Sequence, residues 1–517
     1  MDTILILDFG SQYTQLIARR VRELHIYSEI LPWDVSVERM QMIKPCGVIL
    51  SGGPSSVYED EAPVIHPDIM QLGVPILGIC YGMQALTRIL GGQVIPAGER
   101  EFGPSRIHVG SENPLIPTGD LDVWMSHGDR IDQIPSGFEI LAANPNCPFA
   151  AMGDVSRHIY GVQFHPEVRH TPQGKEILRR FVADICQAAP EWTSASMIDL
   201  AVERIRSQVG DASLLSAVSG GVDSSVATAL AARAVGDRLQ AVFVDHGLLR
   251  KNERAYVEKA FLPLMGDRFV CVDATTRFMD GLDGVTDPET KRKIIGETFI
   301  RVFEAHARSL GTPGFLVQGT IYPDVVESSA PDRNKAARIK THHNVGGLPE
   351  DMNFQLVEPL RYFFKDEVRL VGEALGLPRE LVWRQPFPGP GLAVRCLGVI
   401  TPERLGRLRE ADAIFTDELT AAGWLKTQAN GEEDRAAQAF AVLLPVRSVG
   451  VMGDQRTYQE AIALRAVTTD DFMTADWARL PGDLLAKVAN RIVNEVAGVN
   501  RVVYDITSKP PGTIEWE

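Results

Sequence analysis

The chain has 517 residues, a length that suggests about three domains at roughly 150 residues each and excludes a single small module. It has 52 Lys and Arg against 67 Asp and Glu, and the resulting formal net charge of −15 argues against sequence-independent nucleic-acid binding, because an acidic surface repels phosphate backbones. With 45% hydrophobic and 23% charged residues, the composition is typical of globular protein and excludes disordered and collagen-like classes.

The six cysteines are scattered along the chain without a C-x-x-C pair. This distribution favours a reducing, cytoplasmic environment over a disulfide framework or a zinc site. The N-terminal residues enter an apolar strand without a basic region or a cleavage site, and no apolar run approaches 18 residues. We therefore expect neither a signal peptide nor a membrane span.

The first third of the chain alternates short apolar runs with helical patterns. Strands are predicted at Thr3–Leu7, Gly47–Leu50 and Val74–Ile79, and each runs into a loop that contains glycine. An amphipathic stretch follows the first strand as far as Arg22, and Met83–Leu90 has a helical pattern. Repetition of strand, loop and helix predicts a mostly parallel sheet covered on both faces, with ligands at the carboxyl ends of its strands.

A second region of the same kind follows a linker at residues 188–196. A helix is predicted from Met197 to Val209, and an alanine-rich helix from Val226 to Ala234. The predicted strands of this region are Leu214–Val218, Gln240–Val244 and Gly314–Val317. The alternation again predicts a parallel α/β sheet.

The run at residues 385–391 is too rich in proline to continue a helix or a central strand, and we place a boundary there. The fold class is therefore predicted as α/β. Two three-layer domains with parallel sheets, residues 1–190 and 191–385, precede a smaller α+β domain, residues 386–517.

Cys80 stands where an apolar strand turns into a helix, between glycines in the segment Gly78–Gly82. Such a turn presents a side chain at the sheet edge as a nucleophile elbow does, and a helix N-terminus stabilises a thiolate. A cysteine in an apolar stretch is more often a buried packing residue. Here, however, another strand-like run ends at His165–Glu167, which supplies a base and a carboxylate to orient it.

The segments Gly78–Gln84 and Phe164–Glu167 resemble the nucleophile elbow and the His-Glu pair of class I glutamine amidotransferases. The resemblance implies that Cys80 attacks the side-chain amide of glutamine, that His165 passes a proton to the leaving ammonia, and that Glu167 holds the imidazole. A glycine-containing loop at another strand end can supply N–H groups to a tetrahedral intermediate. The predicted oxyanion residues are Gly52, Gly53 and Tyr81.

A second candidate site is the turn between a strand and a helix at residues 219–225. Its glycines let the backbone approach a ligand closely, and its serine hydroxyls and the helix N-terminal N–H groups can hold an anion. It is not a Walker A loop, because the Gly-x-x-x-x-Gly-Lys-Ser/Thr pattern is absent. The residues predicted to bind ATP are Ser219, Gly220, Gly221, Val222, Asp223, Ser224 and Ser225.

This turn resembles the loop of the N-type ATP pyrophosphatases, which implies that ATP is cleaved to AMP and pyrophosphate. Asp223 is either a ligand of the Mg²⁺ that accompanies ATP or a helix-capping carboxylate, and the two interpretations stay open. The segment at residues 331–349 carries six basic or histidine residues. A charge run is usually solvated surface, but this one could be a lid that brings cations to the triphosphate.

Three further segments have no mechanism that can be derived from their residues: Phe387–Arg395, Gly453–Tyr458 and Thr507–Glu517. Together with Leu7–Tyr13 and Ile339–Gly347, they resemble the family of glutamine-hydrolysing GMP synthetases. The resemblance covers essentially the whole chain and includes the order of the domains.

The resemblance implies a ligase whose ligands are ATP, XMP and L-glutamine, with Mg²⁺ and no organic cofactor. An amidotransferase domain (1–190) would supply ammonia, a pyrophosphatase domain (191–385) would adenylate the C2 oxygen of XMP, and ammonia would displace AMP to give GMP. The C-terminal domain (386–517) would form a homodimer and complete the XMP pocket. Lys340 would be the lid lysine near ATP. The residues implied to contact XMP are Arg250, Lys509, Ile514 and Glu515.

Two alternatives remain open. A pyrophosphatase-loop enzyme that thiolates or amidates tRNA would need a basic surface, which the charge of −15 argues against. A non-catalytic nucleotide-sensing module would have decayed sites, and the intact Cys80, His165 and Glu167 argue against decay. We expect no nucleic-acid or membrane partner.

Overall fold

The computed structural model describes residues 1–310, 313–329, 354–426, 434–452, 455–469, 472 and 474–517. The predicted lid with Lys340 lies outside these residues. The chain divides into two compact units, the first formed mainly by Met1–Met197 and the second by Ile198–Val325 and the described residues after 335. In the part of the chain that the structure describes, no helix combines the length and the apolar character that crossing a membrane requires.

The first unit is built around a seven-stranded sheet. The strands of the first unit are β1 (Thr3–Asp8), β2 (Tyr27–Pro32), β3 (Gly47–Leu50), β4 (Ile76–Ile79), β5 (Gln93–Val109), β6 (Gly119–Gln133), β7 (Glu139–Ala142), β8 (Ala151–Asp154) and β9 (Ile159–Val162). Its helices are α1 (Thr14–Arg22), α2 (Val37–Ile43), α3 (Tyr81–Ile89) and α4 (Gly174–Arg179). The strand order is β2-β1-β3-β4-β9-β8-β7, and β5 and β6 form a separate antiparallel ribbon.

The five strands from β2 to β9 in this order run parallel, whereas β8 is antiparallel to both of its neighbours, β9 and β7. Strands β3 and β4 are buried along their whole length, as expected for strands covered on both faces. Strands β4 and β9 are neighbours, with Ile79 opposite Val162. The residues that follow these two strands therefore meet at one edge of the sheet.

The second unit contains a five-stranded parallel sheet of order β12-β11-β10-β13-β14. These strands are β10 (Leu214–Val218), β11 (Leu239–Asp245), β12 (Phe269–Asp273), β13 (Phe315–Val317) and β14 (Gln355–Val357). The helices of this part are α5 (Ser194–Val209), which begins at the end of the first unit, α6 (Val222–Val235), α7 (Glu253–Met265), α8 (Thr275–Gly281), α9 (Pro288–Ser309), α10 (Tyr322–Ser329), α11 (Lys365–Ala374) and α12 (Arg379–Val382).

A third sheet completes the second unit. It comprises β15 (Gln438–Met452), β16 (Gln455–Thr468), β17 (Asp476–Trp477) and β18 (Val499–Tyr504), accompanied by α13 (Pro402–Ala421) and α14 (Gly482–Glu495). Strands β15 and β16 are antiparallel, and β18 runs parallel to β16. The predicted α/β class is confirmed. One hydrophobic cluster includes Leu215 and Val242 together with Leu408 and Ile462, so the predicted second and third domains share a core, and their boundary at residue 385 stays a prediction.

Candidate active site

Cys80 lies in a tight turn between β4 and α3. Its backbone has φ 52° and ψ −107°, a conformation that a residue with a side chain adopts only when its surroundings hold it there. The flanking glycines explain how the turn fits: a Cβ on Gly78 would lie 2.6 Å from the carbonyl carbon of Gly82, and one on Gly82 would lie 2.4 Å from the carbonyl oxygen of Leu50. The predicted elbow is therefore present, and both glycines are needed for close backbone approach.

His165 and Glu167 follow β9 and form a buried pair. The Nδ1 atom of His165 lies 2.6 Å from Oε1 of Glu167, and both residues are at most 3% exposed. The backbone of His165 is held at two points, because its N–H donates to the carbonyl oxygen of Trp124 at 2.9 Å and its carbonyl accepts from the Thr171 hydroxyl at 2.6 Å. Since Nδ1 is occupied by the carboxylate, Nε2 is the nitrogen left for the Cys80 thiol.

The electrostatics of this pair favour a charged imidazole. Burial alone would lower the pKa of His165, but the Glu167 carboxylate and the adjacent Cys80 raise this pKa, to about 11. A protonated imidazole beside the sulfur stabilises a thiolate, the form of cysteine that acts as a nucleophile. The three predicted catalytic residues are thus brought together in the arrangement that nucleophilic catalysis requires.

Gln163, which the sequence analysis missed, also contacts Cys80. The Gln163 side-chain amide donates to Cys80 Sγ at 3.7 Å and is oriented by Gln84, whose Nε2 donates to Gln163 Oε1 at 3.2 Å. The thiol of Cys80 lies 3.5 Å from the carbonyl oxygen of Ser126 on β6. Gln163 directly precedes the Phe164–Glu167 segment, and this position is the signal that could have identified it.

The predicted oxyanion residues lie beside this group. A Cβ on Gly52 would lie 3.2 Å from Cε1 of His165, and one on Gly53 would lie 3.2 Å from Cγ of Tyr81. The ring of Tyr13, another residue not predicted to take part, lies with its centroid 5.2 Å from that of His165. The structure therefore places Gly52 beside His165 and Gly53 beside Tyr81, and the role of these residues as an oxyanion site stays a prediction.

The turn at residues 219–225 connects β10 with α6. Gly220 has φ 78°, in the left-handed region that glycine adopts without strain. The hydroxyls of Ser219 and Ser224 lie 2.9 Å apart, and that of Ser224 donates to the Gly221 carbonyl oxygen at 3.1 Å. Among the described residues, the buried hydroxyl of Ser225 has no hydrogen-bond partner. The turn is thus preorganised and retains polar atoms that can bind a ligand.

Asp223 occupies the first turn of α6. The capping position is taken by Gly221, without a side-chain capping bond, and Asp223 is the acidic residue of the first turn, so both interpretations of its carboxylate stay predictions. Its Oδ2 lies 2.5 Å from Nζ of Lys365, at the start of α11, whereas Oδ1 is buried without a partner in the described part of the chain. A carboxylate with one unpartnered oxygen beside a phosphate-type loop fits a Mg²⁺ ligand. Lys365 was not predicted.

Two of the residues implied to contact XMP lie near one aromatic ring. Arg250 pairs with Asp412 at 3.1 Å, and burial lowers the pKa of Arg250. Glu515 accepts two hydrogen bonds from Arg395, at 3.0 and 2.7 Å. Both guanidinium groups lie 5.3 Å from the centroid of Phe387. Arg250 and Glu515 are therefore brought together through Arg395 and Phe387, which were not predicted as site residues.

Lys509 and Ile514, the other two residues implied to contact XMP, lie in the same C-terminal segment as Glu515. Lys509 Nζ donates to the Phe472 carbonyl oxygen at 2.7 Å, and Ile514 packs in a small cluster with Phe440. Further along, the fully buried Lys291 binds a carboxylate oxygen of Glu517 at 2.7 Å. The segment at residues 509–517 is thus held within the second unit by a hydrogen bond, an apolar cluster and an ion pair.

Comparison with known proteins identifies two families along the chain. Residues 5–185 match the model described as Glutamine amidotransferase class-I, and residues 426–516 match the GMP synthase C terminal domain. The glutamine-hydrolysing GMP synthase of Thermomicrobium roseum is 57% identical, over 100% of this chain and 97% of its own length. That of Heliobacterium modesticaldum is also 57% identical, over 100% of this chain and 99% of its own. The chain therefore belongs to the family of glutamine-hydrolysing GMP synthases.

Proposed function

We propose that the protein converts XMP to GMP, with glutamine as the nitrogen donor and with cleavage of ATP to AMP and pyrophosphate. The observation that carries the proposal is the buried group of Cys80, His165 and Glu167, with the thiol held at a strained turn. A chain that makes ammonia in this way and also carries a pyrophosphate-type loop has the parts of a glutamine-dependent ligase.

The first unit generates ammonia. Cys80 Sγ attacks the side-chain carbonyl carbon of glutamine, and N–H groups of the predicted oxyanion residues stabilise the tetrahedral intermediate. His165 gives a proton to the leaving nitrogen, so ammonia departs and a thioester remains. Water then attacks the thioester while His165 takes its proton, releasing glutamate and regenerating the thiol. Glu167 holds the imidazole in the required orientation.

The second unit consumes the ammonia. The turn at 219–225 holds the phosphates of ATP, and Asp223 would hold Mg²⁺, whose charge stabilises the departing pyrophosphate. The C2 oxygen of XMP attacks the α-phosphorus, and pyrophosphate leaves. Ammonia then adds at C2, and AMP leaves to give GMP. In this scheme Arg250, Lys509, Ile514 and Glu515 contact XMP, and Lys340 approaches ATP.

We place the enzyme in the cytoplasm as a homodimer. All six cysteines are free thiols, as a reducing compartment requires. The third sheet of the second unit presents exposed apolar side chains on β15, β16 and β18, and such a surface is typical of an interface. These residues are Val446, Val449, Val451, Tyr458 and Val503.

The reaction is tested by incubating the protein with ATP, Mg²⁺, glutamine and XMP and by measuring the products. We expect AMP, glutamate and GMP in equal amounts, without any requirement for tRNA. Formation of ADP in place of AMP would contradict the assignment of the loop at 219–225.

The division of work between the two units is tested by Cys80→Ala. Glutamine-driven GMP formation should be abolished and ammonium-driven formation retained, because the second unit needs only ammonia. Cys46→Ala, which removes a half-buried thiol in the same unit, serves as the control and should retain both activities. Loss of both activities in folded Cys80→Ala protein would contradict the proposal.

A further inference from the structure

A second group of titratable side chains in the first unit takes no part in the catalytic steps proposed above. Glu101 on β5, His127 on β6 and Cys147 in the loop after β7 each bring one ligand atom to the same place, and the three atoms lie within 4.8 Å of one another. His127 and Cys147 are buried, and the Glu101 side chain is 10% exposed. A carboxylate oxygen, a ring nitrogen and a sulfur form a donor set that Zn²⁺ takes in proteins.

Two of these atoms face each other without a hydrogen bond. His127 Nδ1 bonds to the Asp129 carbonyl oxygen at 2.9 Å, and this bond requires the ring proton on Nδ1, so Nε2 of a neutral ring carries a lone pair. Nε2 lies 3.3 Å from Glu101 Oε2. In the part of the chain that the structure describes, neither atom has a hydrogen-bond partner. Two buried acceptors at this separation need a proton or a cation between them.

A cation explains the arrangement better than a proton. A proton shared between a ring nitrogen and a carboxylate draws the two atoms to about 2.7–2.9 Å, whereas Nε2 of His127 and Oε2 of Glu101 lie 3.3 Å apart. The separation of 3.3 Å is close to the distance of about 3.4 Å between a nitrogen and an oxygen ligand of tetrahedral zinc, calculated from bonds of roughly 2.0–2.2 Å. The sulfur lies within 4.8 Å of the other two ligand atoms and would need to approach by at most about 1.2 Å, because the matching nitrogen–sulfur distance is about 3.6 Å.

We propose that Glu101, His127 and Cys147 bind a soft divalent cation of the Zn²⁺ class. On binding, the Cys147 thiol releases its proton to solvent, and a thiolate, a carboxylate and a neutral imidazole then surround the dication. The resulting centre has no net charge, which suits a buried position. Three protein ligands leave the fourth coordination position open. The bound cation would join β5, β6 and the loop after β7.

Sequence spacing gives no signal for this site, since Glu101, His127 and Cys147 are separated by more than 15 residues each and form no zinc-binding motif. The group becomes recognisable only once the ribbon of β5 and β6 is paired, which places Glu101 opposite His127. This proposal therefore revises the expectation, drawn from the sequence, that the chain has no zinc site.

The experiment is a titration of the full chain with Co²⁺, in a Cys80→Ala background that removes the catalytic thiol as a competing ligand. We expect one equivalent to bind with a thiolate-to-cobalt charge-transfer band and visible bands of tetrahedral cobalt, both displaced by Zn²⁺. Adding Cys147→Ser should remove the charge-transfer band, whereas the matched control Cys46→Ser should keep it. Between about pH 7 and 8 the affinity should rise roughly tenfold, since one proton is released.

A second variant covers the case in which Cys147→Ser fails to fold. In the same background, Zn²⁺ should raise the melting temperature of the chain, and His127→Gln should remove that increase while far-ultraviolet circular dichroism stays unchanged. Absence of a cobalt band in the folded protein, a band that survives Cys147→Ser, or an equal zinc effect on His127→Gln would each overturn the proposal.

Discussion

Replacing Glu167 with Gln removes one negative charge from a buried pair and keeps the shape of the side chain. The contact of 2.6 Å with His165 raises the pKa of the imidazole against the effect of burial. The variant lacks the negative charge of the Glu167 carboxylate, so the pKa of His165 falls. The new amide can also donate a hydrogen bond to Nδ1 of His165, which selects the tautomer with its proton on Nε2. We expect glutamine hydrolysis to slow by about 100- to 10,000-fold, the usual range for a positioned acid–base group, or roughly 3–5 kcal/mol in the barrier.

The assay compares AMP formation driven by glutamine with AMP formation driven by ammonium in the same preparation. Only the first should fall, because Glu167 lies in the first unit. A variant in which ammonium-driven synthesis falls in parallel would refute the assignment of Glu167 to ammonia production. Retention of more than about a tenth of the glutamine-driven rate would refute its role in orienting His165.

The same variant makes a prediction about stability and pH. A pKa raised in the folded state contributes stability that is fully present below the unfolded-state value of about 6.5 and is lost as the pH rises toward the folded-state value of about 11. The melting temperature of the unaltered protein should therefore exceed that of Glu167→Gln most at about pH 6, and the difference should shrink at about pH 9. A difference that widens with pH would contradict the raised pKa.

Three other substitutions test separate contacts in steady-state assays. Gly82→Ala places a methyl group 2.4 Å from a backbone carbonyl oxygen, so glutamine-driven activity should fall about tenfold or more. The control is Gly110→Ala, because the nearest atom to a Cβ at Gly110 lies at 3.7 Å. This control should leave glutamine-driven activity unchanged. Lys365→Met removes the cation that faces Asp223, so ammonium-driven AMP formation should fall about 100-fold and the KM for ATP should rise. An unchanged KM for ATP would argue against a contact between Lys365 and the phosphates of ATP. Arg395→Lys replaces the bidentate guanidinium donor to Glu515 by an ammonium group, so the KM for XMP should rise about tenfold while the KM for ATP stays the same.

The proximity of Cys80, His165 and Glu167 was predictable because each of these residues lies beside a local signal. Cys80 stands between an apolar strand and a helix with glycines on both sides, and His165 ends a strand-like run. Parallel strands end at the same edge of a sheet, so two such signals on neighbouring strands imply proximity. The pairing of β4 with β9 is the tertiary fact that makes this implication correct.

Other residues of the candidate sites could not be predicted, because their contacts join distant parts of the chain. Lys365 is 142 positions from Asp223, and Arg395 is 120 positions from Glu515. A lysine at a helix start or an arginine after a proline-rich run has no local feature that distinguishes it from solvated surface. Helix starts were also imprecise: α6 begins at Val222, not at Val226, because Gly221 takes the capping position.

Three buried cations hold the segment at residues 505–517. Arg395 and Lys291 are fully buried and hold carboxylates of this segment at 2.7 Å, and Arg465 lies 3.3 Å from Asp505. Buried ion pairs impose orientation but add little net stability, since the loss of hydration cancels most of the attraction. The segment therefore combines an accurate position with a weak attachment. Mild denaturant should release it before any of the sheets unfolds, and the protein would then continue to hydrolyse glutamine after losing the ability to use XMP.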